Sequence, residues 1–148
     1  MIEVVIRRPQ PQELKSVRAV VQTVVDEVYG SVWAPPVPID EEGWELSWIA
    51  VADEKIVGVV RTSAEWLDDL WVLCNTRGCG IGKRLLAQGE AEIFARGHET
   101  LWLRVVQSNS VAVEFYRRQG WQIVRTFPHE KFPITMLEMC KSVPQNEK

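Results

Sequence analysis

The chain has 148 residues, of which 46% are hydrophobic and 25% are charged, and its formal net charge is -3. This length and composition predict a single globular domain over residues 1–148 with a substantial core. The acidic balance argues against a nucleic-acid or anionic-membrane binder, because such proteins present basic patches. No run approaches the ~20 apolar residues of a membrane-spanning helix.

The compartment is indicated by the cysteines and the first residues. Cys74, Cys79 and Cys140 are an odd number without the spacing of a zinc site, so no metal is expected. The start of the chain lacks the charged segment and long apolar run of a secretory signal. These features favour a reducing, cytoplasmic location.

The first third of the chain predicts a strand, a helix and a loop. Residues 3–8 form an apolar strand, and Pro11 lies in the first turn of a helix that runs to about Tyr29. Residues 31–44 carry three prolines and predict a loop with one helical turn near Asp40.

The remaining elements alternate between strands and helices. Strands are predicted at residues 46–52, 56–62, 66–73, 101–106, 121–126 and 134–140. Helices are predicted at residues 81–96 and from an N-cap at 108–110 to Gly120, and residues 143–148 form a flexible tail. Because consecutive hairpins precede the second helix, this order predicts an α/β (α+β) fold. Its mixed sheet has about six to seven strands, with helices on both faces.

A glycine-rich turn joins the predicted strand at 66–73 to the second helix. Glycines at 78, 80 and 82 let the backbone approach a ligand closely, and the helix start presents N–H groups. Together these predict a phosphate or pyrophosphate site. The Walker pattern fails here because it needs glycine at Arg77 and Ser or Thr at Arg84, and the dinucleotide pattern fails because it needs glycine at Lys83.

Two blocks carry a family resemblance. Arg77-Gly78-Cys79-Gly80-Ile81-Gly82 fits the pattern [QR]-x-x-G-x-[GA], and the segment from Asn109 to Trp121 is similar to N-x-x-A-x-x-[FL]-Y-x-x-x-G-[FW]. In both blocks the chain resembles the GNAT superfamily of acetyl-coenzyme A-dependent N-acetyltransferases. The order of the predicted elements agrees with that family from residue 3 to about residue 141.

The resemblance implies a site for acetyl-CoA as co-substrate. Backbone N–H groups would hold its pyrophosphate, supplied by Arg77, Gly78, Cys79, Gly80, Ile81, Gly82 and Lys83. The backbone at Leu70 and Val72 would pair with the pantetheine arm as an added strand does, and Asn109 would hydrogen-bond the same arm. Tyr116 would point at the coenzyme sulfur and act as the general acid for the departing thiolate.

The general base is sought among acidic residues before the glycine turn. An alkyl amine must lose a proton before it attacks, and a carboxylate can accept it. Residues 67–72 look like the L-[DE]-D-[LF]-[FY]-V segment of diamine and polyamine acetyltransferases. In a regular strand Asp68 and Asp69 point to opposite faces, so at most one faces the acceptor cleft. Asp68, or a water that it orders, is the first candidate, Glu65 is a weaker one, and a solvated acid is the alternative.

Two further features bear on the acceptor. Ribosomal-protein N-terminal acetyltransferases carry a glutamate where Trp102-Leu103-Arg104-Val105 has arginine, which removes a base at that position. Trp33, Trp44 and the acidic residues 40–42 fall in a region that often lines the acceptor site in the family. A solvated charge run beside packed tryptophans is the alternative interpretation of that region.

The resemblance implies an N-acetyltransferase whose primary-amine acceptor attacks acetyl-CoA directly in a ternary complex. The acceptor is a small molecule or a peptide, and neither a nucleic-acid nor a membrane partner is expected. Two other functions stay open, namely a peptide or protein N-terminal acetyltransferase and a non-catalytic acetyl-CoA sensor. A homodimer also stays open, because many relatives dimerise.

Overall fold

The computed structural model of the chain describes residues 3–73 and 80–142. Its strands are β1 (Val4–Arg7), β2 (Trp48–Ala52), β3 (Lys55–Ser63), β4 (Trp66–Val72), β5 (Thr100–Val106), β6 (Gln122–Pro128) and β7 (Thr135–Ser142). Its helices are α1 (Leu14–Tyr29), α2 (Ile81–Ala95) and α3 (Ser110–Arg118), with one-turn 3₁₀ helices at Pro11–Glu13 and Trp44–Leu46. The predicted tail at 143–148 lies outside the described residues.

The loop before β2 differs from the sequence prediction. The helical turn expected near Asp40 lies at Trp44–Leu46, so β2 begins at Trp48 rather than at Leu46. The Ser47 hydroxyl donates a 2.6 Å hydrogen bond to the Trp44 carbonyl and closes this turn. Leu46, predicted as the start of a strand, therefore belongs to the turn that precedes it.

Within residues 3–73 and 80–142 the sheet has seven strands, in the order β1-β2-β3-β4-β5-β7-β6. Neighbouring strands are antiparallel except for β4 and β5, which are parallel. Asp53 and Glu54 have φ values of 49° and 62° and form the tight β2–β3 hairpin, whose backbone twist requires positive φ at both positions. The mixed α/β sheet predicted from the sequence is confirmed.

Two apolar clusters cover opposite faces of this sheet. On one face, valines of α1 pack with Trp44, Ile49 and Val59. On the other face, Leu85, Leu86 and Ile93 of α2 pack with β5, β7 and the α3 residue Tyr116. Helices therefore lie on both faces, as predicted. No helix in the described ranges is long and apolar enough to cross a membrane.

The sheet opens between β4 and β5. Among the described residues these strands share one register pair, Trp66 with Trp102. The Trp102 N–H group donates a 3.0 Å hydrogen bond to the Glu65 carbonyl at the same point. Beyond this pair the two strands separate, and the glycine turn and the start of α3 follow their separated ends. This split in the sheet places the candidate site.

Candidate active site

A cavity of about 870 Å³ lies at the split between β4 and β5. Residues 67–72 of β4 form one wall and residues 103–106 of β5 form another. The starts of α2 and α3 and the C-terminal part of α1 supply further lining. A cavity of this size falls in the range of ligand-binding pockets, about 300–1,000 Å³.

Most of the predicted site residues within the described ranges line this cavity. They are Asp68, Leu70, Val72, Gly80, Gly82, Lys83, Asn109 and Tyr116. Ile81 is instead buried in the apolar core beneath α2. Arg77, Gly78 and Cys79 lie outside the described residues. The fold thus brings together residues from β4, α2 and α3 that the family resemblance implied as one site.

The start of α2 suits an anionic group. Gly80 is the N-cap residue with φ of +77°, a conformation that favours glycine. The Arg84 N–H donates to the Gly80 carbonyl at 3.1 Å, so the N–H groups of residues 81–83 precede the helix's own hydrogen bonding. A Cβ on Gly82 would lie 3.6 Å from the Phe115 ring, an ordinary contact. Packing within the described residues therefore does not require glycine at 82, whereas close approach of a pyrophosphate would.

The two polar atoms of the Asn109 side chain differ in how they are used. Its Oδ1 accepts a 3.3 Å hydrogen bond from the Ala112 N–H and caps α3. Its backbone N–H donates to the Val106 carbonyl at 3.0 Å, which holds the residue at the end of β5. Because Oδ1 is engaged in the cap, the Nδ2 amide is the group that remains to donate to a ligand.

Tyr116 is buried where α3 meets the cavity. Its ring makes edge contacts with Phe115 and Trp121, with centroids 5.4 and 6.1 Å away. Within the described residues no hydrogen bond engages its hydroxyl, and the residue lines the cavity. Burial, with a smaller contribution from the charge of Asp69, raises the pKa of Tyr116 well above its usual value. The hydroxyl is therefore a neutral hydrogen-bond donor at physiological pH.

Asp68 and Asp69 both line the cavity, against the expectation that at most one would face it. The register pairs Arg61 with Asp69 and Thr62 with Leu67, so Asp68 is the extra residue of a β-bulge. A bulge interrupts the strict alternation of faces on which the expectation relied. Asp68 is exposed and accepts a hydrogen bond from the Ser63 hydroxyl.

Asp69 is the more enclosed of the two carboxylates, with 14% of its side chain exposed. Its Oδ2 accepts a 2.8 Å hydrogen bond from Arg61 Nε, and its Oδ1 accepts a 3.0 Å hydrogen bond from Trp71 Nε1. Burial raises the pKa of Asp69, while Arg61 and Trp71 oppose that rise. The sequence favoured Asp68 over Asp69, and no sequence signal marked the bulge or the partnership with Arg61.

Of the residues that the sequence analysis considered for the acceptor, some line the cavity and others do not. Trp44 is buried and donates from Nε1 to the Asp40 carbonyl at 2.8 Å, while Trp33 packs edge-on against Phe132 at a centroid distance of 4.4 Å. Within the described part of the chain, neither tryptophan lines the cavity, and nor do residues 40–42. Arg104, which stands where the ribosomal-protein N-terminal acetyltransferases have a glutamate, does line the cavity.

Comparison with known proteins agrees with this fold. The peptidyl-lysine N-acetyltransferase YjaB of Salmonella typhimurium is 35% identical over 77 residues, which make up 51% of this chain and 50% of that protein. The chain therefore matches about half the length of this curated relative.

Two solved structures share the fold. Apo-form YjaB from Escherichia coli superposes with a TM-score of 0.74 at 23% identity, covering 93% of this chain and 97% of the other. The PaiA N-acetyltransferase of Thermoplasma acidophilum, in complex with coenzyme A, superposes with a TM-score of 0.76 at 20% identity. The superposition covers 95% of this chain and 99% of the other.

A profile of the acetyltransferase (GNAT) family matches residues 19–121, which is more than half of the chain. The matched region runs from within α1 to the end of the Asn109 block, so it includes β4, the start of α2 and Tyr116. The chain therefore belongs to the acetyltransferase (GNAT) family.

Proposed function

We propose that this protein is an N-acetyltransferase that moves the acetyl group of acetyl-CoA to a primary amine by direct attack in a ternary complex. The observation that carries this proposal is the split between β4 and β5. It opens a cavity bounded by the start of α2, by Tyr116 and by the carboxylates of β4. An acyl donor would contact the side formed by α2 and Tyr116, and an amine would contact the carboxylates of β4.

The donor side rests on three groups of the chain. The N–H groups at the start of α2 would bind the pyrophosphate, and Arg77, Gly78 and Cys79 are proposed to extend this site from the preceding turn. The Nδ2 amide of Asn109 would donate to pantetheine, and the edge of β4 at Leu70 and Val72 would pair with it as an added strand. When bound, acetyl-CoA supplies the activated thioester.

The acceptor side rests on the residues of the β4 bulge and on Tyr116. Asp68, or a water that it orders, would accept the proton from the ammonium form of the acceptor. Tyr116 would donate its hydroxyl proton to the departing sulfur. Its raised pKa keeps that proton in place before the reaction begins.

A second candidate function is acetylation of lysine side chains in peptides. It is supported by the similarity to YjaB, which is named as a peptidyl-lysine N-acetyltransferase. A lysine side chain is itself a primary amine on an apolar stem, so the same chemistry applies. A non-catalytic sensor of acetyl-CoA would use the donor side of the cavity and would not need Asp68.

Purified protein should be incubated with acetyl-CoA and a panel of amines, amino acids and lysine-containing peptides. Thiol release is measured together with the mass of each acceptor, since an acetylated acceptor gains one acetyl group. The Tyr116→Phe variant serves as the matched control for background hydrolysis. Coenzyme binding without acetylation of any acceptor would support the sensor and contradict the proposed function.

A further inference from the structure

Opposite charges face each other where the sheet opens. Trp66 and Trp102 form the register pair between β4 and β5. Asp68 and Arg104 each lie two residues beyond that pair, on opposite walls of the cavity. They do not form an ion pair with each other within the described part of the chain. The cavity therefore has a carboxylate on its β4 wall and a guanidinium on its β5 wall.

Arg104 is held in place by aromatic rings and one carboxylate. The centre of its guanidinium lies 4.9 Å from the Trp66 ring and 5.4 Å from the Phe127 ring. Its Nε donates to Glu138 Oε1 at 3.3 Å, and its side chain is 51% exposed. Among residues 3–73 and 80–142, no hydrogen bond uses its terminal nitrogens. These nitrogens can therefore donate to a ligand.

The positive charge at this wall is not fully compensated. Glu138 is shared with Arg125, whose Nε lies 2.9 Å from Oε2, so one carboxylate faces two guanidinium groups. Hydrogen bonds from Arg125 and then from Arg104 lower the pKa of Glu138, which keeps it ionised. The cluster of Arg104, Arg125 and Glu138 retains one net positive charge, and Arg104 is the member that lines the cavity.

We infer that Arg104 binds an anionic group of the acceptor, so that the preferred acceptor is a primary amine carrying a carboxylate. This inference rests on the proposed function. A guanidinium presents a planar pair of N–H donors that matches the two oxygens of a carboxylate. With the anion on Arg104, the amine is directed toward Asp68. A diamine would place a second cation against Arg104 and is disfavoured by repulsion.

The test uses acceptors that differ in one functional group. A series of ω-amino acids of increasing chain length is compared with the corresponding carboxamides and with diamines, by kcat/KM for acetyl transfer. A lysyl-aspartate peptide and its lysyl-asparagine counterpart, both blocked at their termini, test whether a side-chain anion on a peptide is recognised as one on a free amino acid is. The variants are Arg104→Gln and Arg104→Lys. Arg118→Gln is the control, because Arg118 is exposed on α3, pairs with Glu114 and is not among the described residues that line the cavity.

The wild-type protein should prefer the carboxylate over the carboxamide at the best chain length by about tenfold. In Arg104→Gln this preference should fall to about one through a higher KM for the carboxylate, with the carboxamide unaffected. Arg104→Lys should keep part of the preference because it keeps the charge, and Arg118→Gln should keep all of it.

Three results would overturn the inference. They are equal use of carboxylate and carboxamide by the wild type, preference for diamines, or equal loss of both acceptor types in Arg104→Gln. If acetyl transfer occurs but shows no such preference, the inference fails and the proposed function stands. If no amine in any arm is acetylated, the proposed function fails, and the inference that depends on it fails too.

Discussion

Arg61 Nε donates a 2.8 Å hydrogen bond to Oδ2 of Asp69, and the same guanidinium bonds the Asp40 carboxylate at 2.6 Å. The guanidinium also lies 3.9 Å from the centre of the Trp44 ring. One side chain thus connects β3, the cavity wall on β4 and the loop before β2. The position of Asp69 beside the cavity therefore depends on a loop segment that lies away from the cavity itself.

Replacing Asp69 should affect stability more than replacing Asp68. Asp69→Asn removes the negative charge that pairs with the largely buried Arg61, and should cost about 2 kcal/mol of unfolding free energy. Asp68→Asn acts at an exposed position and should cost about 0.5 kcal/mol or less. Urea unfolding of both variants measures the difference. Equal losses of unfolding free energy would contradict the view that the ion pair between Arg61 and Asp69 stabilises the fold.

The Asp68→Asn variant also tests the identity of the general base. If Asp68 or its ordered water accepts the amine proton, Asp68→Asn should lower kcat about 100-fold while the fold remains intact. Ser63→Ala is a milder companion variant, because it removes the hydroxyl that bonds Asp68 and leaves the carboxylate. Full activity of Asp68→Asn in steady-state kinetics would remove this residue from the mechanism.

Tyr116→Phe should separate catalysis from coenzyme binding. The variant keeps the ring that packs against Phe115 and Trp121 but loses the proton donor, so kcat should fall about 100-fold. The dissociation constant for coenzyme A, measured by calorimetry, should change by about twofold or less. An unchanged kcat would show that the hydroxyl takes no part in the reaction.

Deprotonation of Tyr116 should not lower kcat/KM on the alkaline side of its pH profile. An ordinary tyrosine loses its proton near pH 10. Burial and the charge of Asp69 raise the pKa of Tyr116, so the acid form persists through that range. Because the acceptor amine also becomes more deprotonated, kcat/KM should rise up to about pH 10 without a descending limb. A loss of activity between about pH 9 and 10 in wild type but not in Tyr116→Phe would contradict this assignment.

Gly80 and Gly97 form a matched pair for testing the coenzyme site. Both have positive φ, +77° and +96°, and among the described residues no atom lies within 4 Å of where a Cβ would stand on either. Alanine should therefore cost each about 1 kcal/mol through backbone strain. Gly80→Ala should also weaken coenzyme A binding, because Gly80 caps α2 and lines the cavity. Gly97→Ala should leave that affinity unchanged. Equal affinities in the two variants would argue against a pyrophosphate at the start of α2.

The sequence was informative wherever a local rule determined the structure. Prolines, glycines at helix ends and apolar periodicity predicted the helices and most strands, and the family resemblance implied that β4, α2 and α3 meet at one site. The bulge at Asp68 was not predictable, because it arises from the register between β3 and β4 rather than from local preference. The partners of Arg61 and Arg104 were missed for a related reason, since each contact joins segments that lie apart in the chain.

The single Trp66–Trp102 pair has a consequence for how the molecule responds to a ligand. Among the described residues this one pair links the two halves of the sheet through the backbone, whereas the apolar side chains of α2 and α3 pack across both halves. The junction is therefore stabilised mainly by apolar burial and not by a backbone ladder. The Trp102 amide, bonded to the Glu65 carbonyl at the junction, is a natural reporter of occupancy: a ligand that bridges the halves should slow its hydrogen exchange more than that of amides inside β3.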